Sequence, residues 1–303
     1  MSKSIVTHDG KFHADDVFAV ATVLLAEGEV AVERTRDEKR IADATIVVDV
    51  GGIYDEERGR FDHHQPSGAG IRPTTIPYAS FGLVWKRYGE KLCGSKGVAE
   101  KVDEVLVAPI DANDSGIDLG VPTFADVSSY DVSAMVRAFT PTWEEDTSVA
   151  DEHFSEVTHF AKRIIEREIN RAKAVIEGER QVKEAYTTAV DKRLIVLSVD
   201  YSWKSVLAKF SEPLYVVHPQ GDTWRLYCVR DNPHVFTNRK DLPKNWAGLR
   251  DGELAKVTGV SDAVFAHRNR FMAVTKTREG AVALAKLALN TNNQETITKD
   301  KVV

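Results

Sequence analysis

Residues 44–50, Ala-Thr-Ile-Val-Val-Asp-Val, are apolar or β-branched at consecutive rather than alternate positions, and Gly51-Gly52 closes the run. A strand with one face in water alternates polar and apolar residues. An unbroken run belongs to a strand covered on both faces, the pattern of parallel sheets flanked by helices. Val17 to Ala26 (VFAVATVLLA) is apolar on nearly every side and predicts a buried helix, with Asp15 or Asp16 standing where an N-cap would. Ser4–Thr7 and Glu29–Arg34 predict two further strands. Strand, helix, strand, strand with tight turns implies an α/β sheet.

Residues 65–76 (QPSGAGIRPTTI) concentrate Gly, Pro and Thr and read as a loop, with helices expected at about 78–91, 96–112 and 126–139. Thr140-Pro-Thr-Trp-Glu-Glu-Asp-Thr147 marks a boundary. From 148 to 185, apolar residues including Phe154, Val157, Ile165, Ile169 and Ile176 recur at helical spacing among many charges, so one long amphipathic helix should bridge two domains. Strands are then expected at Leu194–Val199, Leu214–Val217, Trp224–Val229, Ala263–Ala266 and Arg270–Thr275, with helices near 251–257 and 279–290 and a polar, fraying tail from Asn290. The 303 residues thus divide into 1–146, a linker helix over 147–185, and 186–303.

The first 150 residues hold 15 Lys and Arg against 26 Asp and Glu, a balance of −11; residues 151–303 hold 25 against 20, a balance of +5. An acidic half suits cations and a basic half suits phosphates or carboxylates. The two cysteines, Cys93 and Cys228, exclude a disulfide scaffold and any multi-cysteine zinc or iron–sulfur site. No apolar run reaches the roughly 18 residues of a membrane span, and the start Met1-Ser-Lys-Ser-Ile-Val-Thr-His8 has neither a signal-peptide core nor a transit-peptide pattern, so no membrane partner and a cytoplasmic location are expected. A metal held by such a chain would have to be held by His and Asp.

Four of the nine histidines fall in the first 64 residues, each beside aspartates just after an expected strand. The clusters are Thr7-His8-Asp9-Gly10-Lys11-Phe12-His13-Ala14-Asp15-Asp16, Val48-Asp49-Val50-Gly51-Gly52 and Phe61-Asp62-His63-His64-Gln65; Ile110-Asp111-Ala112-Asn113-Asp114, ending a helix, is a fourth. Taken singly, Asp49 could be a strand-end turn residue and His8 a structural histidine, while Asp9, Asp16 and Asp114 read as caps or turn formers. The adjacent imidazoles His63 and His64 are harder to bury without partners. In open α/β sheets loops converge at the carboxyl ends of the strands, and imidazole with carboxylate suits divalent ions of the manganese, magnesium, iron or zinc kind. A strand-end Asp can bridge two of them.

Asp62-His63-His64 resembles the signature of the DHH phosphoesterase superfamily. More closely, Thr7 to Asp16, Val47-Val-Asp-Val-Gly-Gly52, Tyr54-Asp55, Phe61-Asp-His-His-Gln65, Leu242-Pro-Lys-Asn-Trp-Ala-Gly-Leu-Arg250, Val264-Phe-Ala-His267 and Lys276-Thr-Arg-Glu-Gly-Ala281 are similar to the melanocyte-proliferating-gene family, also named metal-dependent protein hydrolases. The resemblance implies a parallel-sheet DHH-type catalytic domain joined by a long helix to a smaller α/β substrate domain. It implies a metal-dependent phosphodiesterase, a 3′–5′ exoribonuclease acting on RNA or short oligonucleotides, with one or two divalent ions, manganese foremost and magnesium the alternative. It places His8, Asp15, Asp49 and His63 on the metals, with Asp111 as the late ligand and Asp114 as runner-up. His13 is a further ligand candidate; it stands where the superfamily usually has Asp, which removes a negative charge. Asp62 would orient the histidine pair, and His64 would face the substrate phosphate as a cation or proton donor.

Relatives carry a glycine-rich turn where this chain reads His267-Arg-Asn-Arg-Phe-Met-Ala-Val-Thr-Lys276. Side chains at Met272 and Ala273 would hinder close backbone approach to a phosphate. Arg34, Arg36, Arg239, Lys240, His267, Arg270, Lys276 and Arg278 are the candidate substrate-binding residues. The lost glycines, and the lack of an obvious row of aromatic residues for stacking, leave a nucleotide or pyrophosphate phosphatase open. A third reading, of a different class, is a nucleic-acid-binding protein with a structural metal. Ligands spread over about 100 residues of loops favour an open, catalytic site over a closed structural one, and no His-Glu-x-x-His protease motif occurs. Oligomeric state is left open.

Overall fold

The computed structural model describes residues 3–28, 30–120, 123–124, 127–232 and 235–291. Glu29 and Asp126, at the edges of two expected elements, and the expected fraying tail from 292 onward lie outside the described residues. The chain divides into two compact units, residues 1–174 and 175–303.

The first unit runs β1 (Ser4–Thr7), α1 (Ala14–Glu27), β2 (Ala31–Arg34), α2 (Glu38–Asp43), β3 (Ile46–Val48), β4 (Tyr54–Asp55) and β5 (Arg60–Phe61), then α3 (Ser80–Cys93), α4 (Lys96–Val102), α5 (Ala108–Asp114) and α6 (Val132–Arg137). Its sheet has the order β2-β1-β3-β5-β4, parallel throughout except for the β4–β5 pair. Strand β3 is buried on both faces, as its composition predicts. Ile46 and Val48 join the main core with Val17, Phe18 and Phe81, while Val47 packs on the other face with Val6, Ala44 and Val50. The helix expected over 96–112 is interrupted: a π-helical stretch, Asp103–Val107, separates α4 from α5. Such insertions alter which side chains face inward beyond them.

Helix α7 (Ala150–Thr188) is the long amphipathic helix, and the division between the units falls inside it. Phe154, Val157, Ala161, Ile165 and Ile169 pack into the first unit's core. The second unit continues with β6 (Leu194–Val196), α8 (Lys204–Leu207), β7 (Tyr215–Gln220), β8 (Thr223–Cys228), α9 (Asp251–Thr258), β9 (Ala263–Ala266), β10 (Met272–Thr275) and α10 (Arg278–Asn290). Its sheet, β6-β7-β8-β10-β9, is parallel only between β6 and β7 and antiparallel elsewhere. Ala281, Leu284, Ala285 and Ala288 of α10 are buried with Tyr215 and Leu226; Val182, Trp203, Val206 and Leu207 build a separate cluster with Ile195 and Val216. Among the described residues no helix is long and apolar enough to cross a membrane.

Arg72, only 5% exposed, holds the expected loop in place. Its Nη1 donates to Asp111 Oδ2 at 2.6 Å and to Pro77 O at 3.2 Å, its Nε and Nη2 donate to Asp103, and its guanidinium lies 4.2 Å from the Tyr78 ring centroid. Asp111 is fully buried, and that burial pushes its carboxyl up to about 7 in spite of Arg72. Removing one partner of a buried pair leaves an uncompensated charge. Arg72→Met is therefore expected to lower unfolding stability by about 3–5 kcal/mol at pH 8. The loss should shrink at pH 5, where Asp111 can fold protonated and neutral. Urea denaturation at both pH values checks this; a loss below about 1 kcal/mol, or one indifferent to pH, would show that the pair does not carry the segment.

Candidate metal centre

The strands of the parallel sheet end at one edge, and the turns that follow β1, β3 and β5 carry the three histidine–aspartate clusters. Asp49, directly after β3, has φ +55°. This is the left-handed region, which Asp tolerates better than most side chains but which still carries strain, and such strain concentrates at functional sites. Its two oxygens face different partners. Oδ2 lies 3.4 Å from His8 Nε2; Oδ1 lies 3.3 Å from His63 Nε2 and accepts from Ser80 Oγ at 2.9 Å.

His8 is 3% exposed, and its Nδ1 lies 2.9 Å from the Asp9 carbonyl oxygen. That contact assigns the Nδ1 proton to the carbonyl and turns Nε2 toward Asp49 and Asp16, the latter at 3.1 Å. His63 Nε2 lies between Asp49 and Asp114, 3.2 Å from Asp114 Oδ2. Asp15 lies in α1, His63 in the turn after β5 and Asp114 at the end of α5, yet each offers a ligand atom within 4.8 Å of the others. The same holds for His8, His13 and Asp49, and for Asp49, His63 and His64.

Two helix N-termini steady these acids. The N-cap of α1 is His13 rather than Asp15 or Asp16: Asp16, three residues into the helix, reaches back with Oδ1 to accept from the backbone N–H of His13 and also from that of Val17. Asp15 does the same for α3: its oxygens accept from the N–H of Ser80 and Phe81 at 3.0 and 2.7 Å. Asp111 Oδ1 accepts from Gly82 N–H at 3.0 Å. Orphan amides at a helix start and the positive end of its dipole favour anions there. A Cβ on Gly82 would come within 1.9 Å of Asp111 Oδ2, so only glycine allows this approach.

The electrostatics follow from crowding. Burial and the neighbouring Asp49 and Asp114 charges push the Asp15 carboxyl well above its usual range. Burial opposes ionisation of Asp49 too, but the facing His63 and His8 outweigh it and hold that carboxyl below its usual range. Burial likewise opposes charge on His8 and His63, yet the facing carboxylates raise them to about 10 and about 11. Asp16 Oδ2 and His63 Nε2 are buried without a directed hydrogen bond. A histidine nitrogen facing several carboxylates and left unsatisfied is the arrangement that a divalent cation satisfies.

Not every residue singled out in the sequence comes to this centre. Asp111 is engaged by Arg72 and α3, and Asp114 stands beside His63 instead. The three-residue step between them carries Asp111 into the interior and Asp114 to the cavity. Asp62 is 2% exposed; Oδ2 accepts from Gly52 N–H at 2.6 Å and Oδ1 lies 2.7 Å from His64 Nδ1. The His64 side chain is 63% exposed and lines, with Lys11, His13 and Arg36, an open cavity of about 1300 Å³ over the cluster. Arg34 is engaged elsewhere: it pairs with Asp151 at 2.7 Å, donates to Gly10 O and lies over the Phe12 and Phe154 rings. In the second unit Arg239 pairs with Asp231 and donates to the carbonyls of Pro213 and Ala208, Lys240 donates to Leu289 O, and Arg270 pairs with Asp241. His267 accepts from Asn269 N–H, and Lys276 and Arg278 are exposed. Two participants, Ser80 and Arg72, escape a reading of the sequence. A Ser at a helix start is a recognisable signal, whereas nothing local marks Arg72.

Residues 4–289 match the family described as MYG1_exonuc, Uncharacterised protein family (UPF0160). The chain is 30% identical to a MYG1 protein of Caenorhabditis elegans over 100% of this chain and 99% of that one, and 32% identical to a protein named MYG1 exonuclease from Homo sapiens over 94% and 85%. A MYG1 protein of Chlamydia pneumoniae is 30% identical over 95% and 97%. Among solved structures, RecJ from Thermus thermophilus in complex with Mg2+ is matched at 12% identity over 96% of this chain and 50% of that one, with a TM-score of 0.25, a value that does not bear on the fold. With nearly its whole length matched, and with the Thr7–Asp16 and Asp62-His63-His64 motifs in place, the chain belongs to the MYG1_exonuc family.

Proposed function

We propose that the protein is a metal-dependent phosphodiesterase that trims RNA or short oligonucleotides from the 3′ end. The observation that carries this is the two-sided placement of Asp49, one oxygen toward His8 and the other toward His63, at the floor of an open cavity. The exonuclease name of the human relative supports it. His8, His13 and Asp49 would hold one divalent ion, and Asp15, His63 and Asp114 a second, with Asp49 between them. When bound, such ions polarise a phosphoryl oxygen and make water a nucleophile near neutral pH. Manganese suits this mixture of imidazole and carboxylate, with magnesium the alternative.

The protein's own side chains do the rest. Asp62, anchored by Gly52 N–H, holds the His64 ring through Nδ1 and leaves it standing in the cavity. From there His64 donates a hydrogen bond to the leaving oxygen of a bound phosphodiester. Arg36 lines the same cavity, where it pairs with Asp9 at 3.3 Å, and that exposed pair can open to supply charge for a phosphate. Helix α3 holds Asp15 by backbone amides, so that a ligand cannot pull the carboxylate out of line.

Turnover of 5′- and 3′-labelled RNA, a dinucleotide and pyrophosphate with manganese checks the reaction. His63→Ala and Asp49→Ala should abolish turnover, and unchanged turnover in both would reject the reading. Pyrophosphate consumed in preference to RNA would make the protein a phosphatase of the same chemistry. Asp62→Asn should slow the reaction about 10- to 100-fold with the fold intact, because it loosens a ring rather than removing a ligand.

A second expectation concerns protons. His8 and His63 sit near 10 and 11, above their ordinary 6.5, so the ion-free chain carries both protonated at pH 7. Metal ligation needs neutral imidazole. Manganese uptake at pH 7 should therefore release about two protons, and affinity should climb by up to about 100-fold per pH unit. Calorimetry in buffers of different ionisation heat measures this, and uptake without proton release would contradict it. The same shifts stabilise the ion-free fold fully below about 6.5, and that stability is lost as pH rises through 10 and 11.

A further inference from the structure

The second unit contains a cavity that none of the basic residues singled out in the sequence lines. It measures about 220 Å³, and its walls include the rings of Trp203, Tyr227, Phe236 and Phe271 and the cations Lys204 and Arg230. Among the described residues no carboxylate lines it. The rings are organised by the sheet. His218 on β7 stacks on Tyr227 of β8 with centroids 5.5 Å apart and planes 3° apart, and Tyr227 stacks on Phe271, one residue before β10, at 6.3 Å. Trp203 is 5% exposed and lies 6.0 Å from Tyr227. Phe236, in contrast, is 87% exposed, a large apolar ring left in water at the rim.

Arg230 is held in place over this row. Its Nε donates to Asn238 Oδ1 and its Nη1 to Val235 O, and its guanidinium carbon lies 4.8 Å from the Phe236 ring centroid and 5.9 Å from that of Phe271. Lys204 Nζ lies 5.9 Å from the Trp203 ring centroid. The Cys228 thiol behind them is pushed up to about 12 by burial, so it is not poised as a nucleophile and the cavity is suited to binding.

We infer that this cavity binds a nucleotide: one nucleobase stacked among the rings, its phosphate taken by Arg230 and Lys204. Flat faces accept any base, and guanidinium planes stack on bases as well as pairing with phosphate. The volume exceeds the roughly 150 Å³ that holds a benzene and falls short of the roughly 300–1,000 Å³ of pockets for drug-sized ligands, which fits a single base. Two cations and no carboxylate select against a cationic guest and for an anion attached to a flat ring. The choice of a nucleotide among aromatic anions rests on the phosphodiesterase reading; the cavity itself does not.

The full chain, kept in chelator so that no hydrolysis occurs, should bind AMP at least about tenfold more tightly than ribose 5-phosphate, a difference of about 1.4 kcal/mol. Phe236→Ala, at a ring already in solvent, should leave the melting temperature unchanged and weaken AMP about tenfold. Arg230→Gln should weaken AMP while leaving adenosine nearly unaffected. AMP bound no better than ribose 5-phosphate, or AMP indifferent to Phe236→Ala, would overturn the inference even if the protein digests RNA. AMP binding that depends on Phe236, in a protein that hydrolyses none of the phosphoesters above, would uphold the pocket and reject the phosphodiesterase. Anisotropy of a labelled RNA oligonucleotide in the same variants separates the two sources of ligand: RNA weakened in parallel with AMP places a residue of the strand in the pocket, and RNA unaffected assigns it to a free nucleotide.

Discussion

Five aspartates of the first unit, Asp15, Asp16, Asp49, Asp62 and Asp111, are each at most 4% exposed. Buried carboxylates are costly unless something answers their charge, and the unit is arranged around answering them. The start of α1 answers Asp16, the start of α3 answers Asp15, Arg72 and Gly82 answer Asp111, and Gly52 with His64 answers Asp62. Asp49 is answered by Ser80 and by His8 and His63, whose pKa values its charge raises. The two helices therefore serve as backbone counter-charges as well as packing elements, and their N-termini must meet near the ends of β1 and β3. A divalent ion held here would take the place of the protons on His8 and His63, and its uptake would then be linked to proton release.

That arrangement explains which parts are legible in the sequence. The parallel sheet shows in β3 because burial on both faces demands a continuous apolar run. The histidine–aspartate clusters show because each is short and sits on one turn. The settlement among the acids does not. Asp111 and Asp114 share a stretch of chain and similar local sequence, and only the packing of α5 against α3, with Arg72 arriving from a distant loop, separates an anchor from a residue at the cavity. The place of Arg34 near a strand end points toward the cleft, yet Phe12 and Phe154, far apart in the chain, close over it. The hairpin β4–β5 has two residues per strand, too few for a periodicity to register.

The second unit shows the same limit more sharply. No aromatic row is visible along the chain, because antiparallel pairing of β7, β8 and β10 brings His218, Tyr227 and Phe271 together, and Trp203 joins them from just before α8. The turn before β10 keeps a backbone shape that glycine would favour: Arg270 has φ +58°, and its guanidinium is tied to Asp241 at 2.8 Å. A side chain has thus been fitted to a left-handed position.

The missing glycines then have a structural consequence. Met272, Ala273, Val274 and Thr275 are buried in β10, paired on one side with β8 and on the other with β9. Backbone amides committed to two ladders cannot also close around a phosphate, and the side chains at these positions belong to the core. An anion bound by this unit would therefore be met by side chains rather than by the amides of β10. Arg239, Lys240 and Arg270 are already occupied by a carboxylate or by backbone carbonyls. Arg230 is also anchored, but its guanidinium lies near two rings, 4.8 and 5.9 Å from their centroids, and lines the cavity.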